Sequence, residues 1–137
     1  MSPKIRLASL ATLAALILTG LAVIWAQEPA ARPVTKIIKI EEGQEYTRLL
    51  GGPPENLVLR SGAVTLQQGK TVGKHSTESY EELIIVLEGQ GSMILSDGKQ
   101  LEIKMGTALY CPPDTEHDVK NTGSGPLTYI YVVAKTR

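Results

Sequence analysis

The sequence predicts an all-β domain of the sandwich or small-barrel type, and three observations carry that reading. Apolar, β-favouring runs are separated by Gly, Pro or Asp-Gly at short, regular intervals. Leu101 and Ile103 alternate with Gln100, Glu102 and Lys104, the period-2 pattern of a half-buried strand. No stretch after residue 30 shows a sustained helical period, although 42–50 has the length for one or two helical turns. Many short strands within about a hundred residues imply two packed sheets or a closed barrel.

The expected strands are 36–40, 57–59, 63–66, 82–88, 91–95, 100–103, 108–111, 117–121 and 127–134. Ser96-Asp97-Gly98-Lys99 is a hairpin signal, because Asp-Gly supplies the positive φ values of a type I′ turn. One run departs from alternation. Leu83-Ile84-Ile85-Val86-Leu87 is apolar at every position, so both of its faces require cover. One face lines the interior. The other needs a second copy of the chain, hence an expected homodimer, or the chain's own strand at 36–40.

The N-terminus has a different character. Lys4 and Arg6 precede an uncharged, largely apolar run from Ala8 to Ala26, the pattern of a secretory signal. The reading is a signal peptide (or membrane anchor) over 1–26, a Pro- and Ala-containing linker over 27–35, and one domain over 36–137. Both versions export the domain, to the periplasm or as a secreted protein, with no membrane contact beyond the N-terminal segment.

Fourteen basic residues balance fourteen acidic ones, and beyond residue 26 the balance is mildly acidic. That excludes the concentrated basic surface a nucleic-acid partner needs. Cys111 is the single cysteine, which excludes an internal disulfide framework and any cysteine-cluster metal site.

The two histidines, His75 and His117, lie in patterned surroundings. Gly69, His75, Glu82 and Gly89 follow the spacing Gly, five residues, His-x-His, three or four residues, Glu, six residues, Gly, with Thr77 in place of the second histidine. Gly106, Pro112, His117 and Asn121 follow Gly, five residues, Pro-x-Gly, two residues, His, three residues, Asn, with Asp114 in place of the glycine. In these two motifs the chain resembles the cupin superfamily. The resemblance implies a double-stranded β-helix, the cupin jelly-roll barrel, with a divalent metal inside. Carried over residue by residue, it assigns His75, Glu82 and His117 as metal ligands and loses the ligand at position 77.

Two imidazoles and a carboxylate form a complete set for Fe, Mn, Zn, Ni or Cu, with coordination positions left open. Glu82 shares a strand face with Ile84 and Val86, and an inward carboxylate there needs a charge partner or a metal. Thr77, Gln68, Tyr80, Tyr110 and Cys111 are further pocket-lining candidates, Tyr110 and Cys111 on opposite faces of one strand. Asp114 is a mild change, since Asp tolerates turn conformations. The resemblance implies a small-molecule ligand and, if the site is catalytic, dioxygenase, isomerase or lyase chemistry. A non-catalytic binding or structural module is the alternative, because this barrel hosts many functions.

Overall fold

In a computed structural model the structure describes residues 32–136, so the expected signal segment and most of the linker lie outside the described residues. The described chain is all-β: β1 (Tyr46–Gly51), β2 (Leu59–Leu66), β3 (His75–Ser76), β4 (Tyr80–Glu88), β5 (Gln90–Leu95), β6 (Gln100–Lys104), β7 (Ala108–Cys111), β8 (Glu116–Asn121) and β9 (Leu127–Lys135). One sheet runs β1-β2-β9-β4-β7 and the other β3-β8-β5-β6. Every strand pairing is antiparallel.

The core lies on the inner faces and joins Leu66, Ile84, Val86, Met93, Ile103, Cys111, Val119, Leu127 and Tyr129. Alternation explains the membership. On β4, Glu82, Ile84 and Val86 turn inward, and on β9 Leu127 and Tyr129 do the same. Gly89 permits the sharp approach after β4. Its φ is 77° and a Cβ there would sit 2.1 Å from the Pro126 carbonyl oxygen.

Several sequence expectations are corrected. Residues 36–40 form no strand; Ile37 is 97% exposed. The β1 strand occupies the β2 edge instead, over residues that 42–50 offered as helix. Tertiary pairing overrides local pattern there, because β2 supplies a ladder that an isolated turn of helix lacks. Of the expected strand at 57–59 only Leu59 is in a strand; it joins 63–66 in β2, which continues through Gly62, and Leu57 and Val58 lie outside it. A side chain at Gly62 would meet Tyr46 and Tyr131 at 2.7 and 2.9 Å, so the glycine makes room for two rings.

The 96–99 hairpin forms, but within the turn only Gly98 has positive φ. The Asp97 carboxylate accepts the Lys99 amide at 2.9 Å, which stabilises a turn other than type I′. The apolar β4 run is covered on one side only. Ile84 and Val86 are buried, whereas Leu83, Ile85 and Leu87 are 36–42% exposed.

Candidate metal centre

Strand pairing brings the two sequence motifs together. His75 of β3 lies directly opposite His117 of β8, and their ring centroids are 4.4 Å apart at 60°. Glu82 reaches the same point from the facing sheet. One ligand atom from each of His75, Glu82 and His117 falls within 4.8 Å of the other two. His117 is fully buried, Glu82 is 7% exposed, and His75 opens to solvent.

Both rings are oriented by the same backbone device. The Nδ1 atom of His75 lies 2.8 Å from the Gly73 carbonyl, and that of His117 lies 3.2 Å from the Thr115 carbonyl. A carbonyl only accepts, so each Nδ1 carries the proton and each Nε2 is left with a lone pair. The His117 Nε2 is buried with no hydrogen-bond partner. It lies 3.2 Å from Glu82 Oε2, within ion-pair distance but outside hydrogen-bond geometry. A buried nitrogen lone pair beside a buried carboxylate, with a second imidazole alongside, fits a divalent cation.

Burial opposes protonation of His117. The Glu82 carboxylate, the Thr115 carbonyl and Asp118 together outweigh it, and the His117 pKa is raised. Burial, and then the negative charge of Glu82, pushes the Cys111 thiol up to about 11.

Thr77 is buried, and its hydroxyl is fully engaged. Oγ1 donates to the Pro112 carbonyl at 2.8 Å and accepts the Thr115 amide at 2.9 Å. The residue in the place of a histidine therefore ties the first motif to the loop of the second. That loop turns at Asp114, whose φ of 58° is the conformation for which the family uses glycine. Its amide donates to the Glu78 carbonyl at 2.8 Å.

A cavity of about 980 Å³ opens over the cluster. His75, Thr77, Tyr80, Glu82 and His117 line it. Gln68, Tyr110 and Cys111, expected at the pocket, are not among its lining residues. Gln68 is exposed, whereas Gln67, which the sequence offered beside it as pocket lining, does line the cavity. Tyr110 faces outward and donates to Glu81 at 3.3 Å. Cys111 faces inward but packs against Met93, its Sγ 3.6 Å from the Met93 sulfur. The cavity also recruits Arg60 and Tyr46, which sequence reasoning missed, and Tyr131, which with Tyr129 reads from the sequence as a packing residue. The phenol oxygens of Tyr46 and Tyr131 are 3.0 Å apart. Extending the β2 alternation back from inward Val64 and Leu66 would have placed Arg60 inside.

Residues 62–133 match the cupin domain family, more than half of the chain. The protein is a cupin. Solved structures share its fold. A Cupin 2 conserved barrel protein from Salinispora arenicola is 19% identical over 75% of this chain and 91% of that one, with a TM-score of 0.64. A predicted oxalate decarboxylase from Thermotoga maritima is 27% identical over 56% of this cupin and 66% of that chain, with a TM-score of 0.53. Among curated proteins, an uncharacterised protein of Methanocaldococcus jannaschii is 44% identical over 41% of the cupin and 44% of its own length. A glucose-6-phosphate isomerase of Pyrococcus abyssi is 29% identical over 42% of the cupin and 33% of its own length. The cupin thus spans less than half the length of both curated relatives.

Proposed function

We propose that this cupin holds one divalent transition metal through His75, Glu82 and His117 and presents it to a small molecule in the barrel. The observation that carries the reading is the buried Nε2 of His117, which makes no hydrogen bond and lies 3.2 Å from a Glu82 oxygen. A bound ion would supply Lewis-acid polarisation of a ligand oxygen or a more acidic bound water. The chain's own contribution is to fix both imidazole tautomers through Gly73 and Thr115, and to shield Glu82 and His117 from bulk water. Thr77 contributes no ligand, which leaves coordination positions for a substrate.

An open cavity above the cluster supports a ligand-binding or catalytic role over a purely structural one. Decarboxylase and isomerase names among similar proteins support lyase or isomerase chemistry as the catalytic version. The apolar row Leu83, Ile85 and Leu87 supports a homodimer in which a second copy covers it, since an uncharged patch meets itself across a two-fold axis without repulsion. The basic-then-apolar N-terminus supports export. Elemental analysis of protein purified without chelator tests the metal reading. The expected result is about one ion per chain in the wild type and its loss in His117→Ala. A metal-free wild type would refute it.

A further inference from the structure

We propose that Arg60 is an oxyanion anchor in the same cavity, holding the far end of a small ligand whose near end reaches the His75–Glu82–His117 cluster. The inference rests on the metal reading and adds the ligand class to it.

Strand register places the two charges. Arg60 of β2 pairs with Val133 of β9, and Val133 pairs with Glu82 of β4. Residues directly across a sheet share a face, and neighbouring strands lie about 4.8 Å apart. Arg60 and Glu82 therefore rise from one face with their backbones roughly 10 Å apart, and both line the cavity.

Arg60 is held in place, and among the described residues no acid neutralises it. Its guanidinium lies over the Tyr80 ring, 5.5 Å from the centroid, and Tyr80 is two residues from Glu82 on β4. Its stem passes Gly52, where a Cβ would come within 3.1 Å of Nε. Among the described residues no carboxylate lies within ion-pair distance of it, whereas Lys74, which also lines the cavity, pairs with Glu116. The acids Glu45 and Glu78 also line the cavity. Glu45 stands beside Thr65, at the other end of β2, and Glu78 makes no ion pair with Arg60.

The Tyr80 ring attracts the guanidinium without neutralising it, so its N–H donors can still serve a bidentate partner. With both imidazoles neutral and Glu82 ionised, a divalent ion leaves the cluster net positive, and Arg60 adds a second positive centre. That pattern fits a small molecule with an oxyanion at each end: an α,ω-dicarboxylate, or a carboxylate with a terminal phosphate.

The test is isothermal titration of the metal-loaded full chain with acetate, succinate, glutarate and 2-phosphoglycolate, with metal content measured alongside. Arg60→Gln is expected to weaken the three two-ended ligands about tenfold or more, with Arg60→Lys intermediate. Acetate affinity and metal content stay unchanged. The tightest wild-type ligand tells a carboxylate end from a phosphate end. Equal affinities in wild type and Arg60→Gln, or no binding of any two-ended ligand by the loaded wild type, overturn the Arg60 proposal and leave the metal centre standing. A wild type that takes up no metal overturns the metal centre and the anchor with it.

Discussion

The hydroxyl of Thr77 accepts the backbone amide of Thr115 at 2.9 Å while donating to the carbonyl of Pro112. One side chain thereby joins the segment that carries His75 to the loop that delivers His117. Thr77→Val keeps the shape and removes the hydroxyl, leaving two backbone groups unsatisfied. It is expected to lower unfolding free energy by about 1–3 kcal/mol. Denaturant unfolding reads that loss, and metal stoichiometry should not change. A variant as stable as the wild type would show that the clamp carries no load.

Cys111 is expected to be inert in the folded state. With its thiol at about 11, the reactive thiolate is scarce at neutral pH. Labelling by a thiol reagent at pH 7.5 should be slow until denaturant is added. The sign of the linked stability follows. The folded pKa lies above the ordinary thiol value of 9.0, so this contribution is complete below pH 9 and is lost as pH rises toward 11. Thermal unfolding across that window should fall more steeply for the wild type than for Cys111→Ala. Parallel curves would contradict the shift.

Metal affinity should fall in acid. Protons compete with the metal for the imidazole nitrogens, so binding releases protons, and with the His117 pKa raised above its ordinary 6.5 the affinity falls as pH drops through that raised value. In the metal-free protein the His117 shift has the opposite consequence. Its raised pKa gives stability that is complete below the ordinary imidazole value and is lost as pH rises through the folded value. Calorimetric titration from pH 5 to 8 checks the first point, and an affinity that does not vary over that range would exclude histidine ligation.

The sequence carried the site more fully than its surroundings, and the reason is physical. His75, Glu82 and His117 sit at spacings set by strand and turn lengths, which one dimension records. Alternation within β4 put Glu82 with Ile84 and Val86, and the structure agrees. Alternation alone leaves the phase of a short strand open. That Cys111 turns inward and Tyr110 outward follows from the pairing of Glu82 with Cys111 across β4 and β7, which is a tertiary fact. Arg60 was hidden for a related reason. With the strand begun at residue 63, nothing assigned Arg60 a face until β9 fixed the register of β2. The β1 strand was illegible because its pairing with β2, rather than its own composition, makes it a strand.

The exposed β4 row gives a further expectation. If Leu83, Ile85 and Leu87 are covered by a second copy, Ile85→Lys places like charges across the two-fold axis. The molar mass from light scattering should then fall from two chains to one, with circular dichroism unchanged. A wild type that is already a single chain would remove the dimer.

The central claim is that three side chains from two sheets share one ion. An anomalous-difference map, collected at the absorption edge of the metal found by elemental analysis, tests it most directly. The account predicts one peak per chain, about 2.0–2.2 Å from His75 Nε2, His117 Nε2 and a Glu82 oxygen. A peak bonded elsewhere, or no peak in crystals grown with metal, would contradict it.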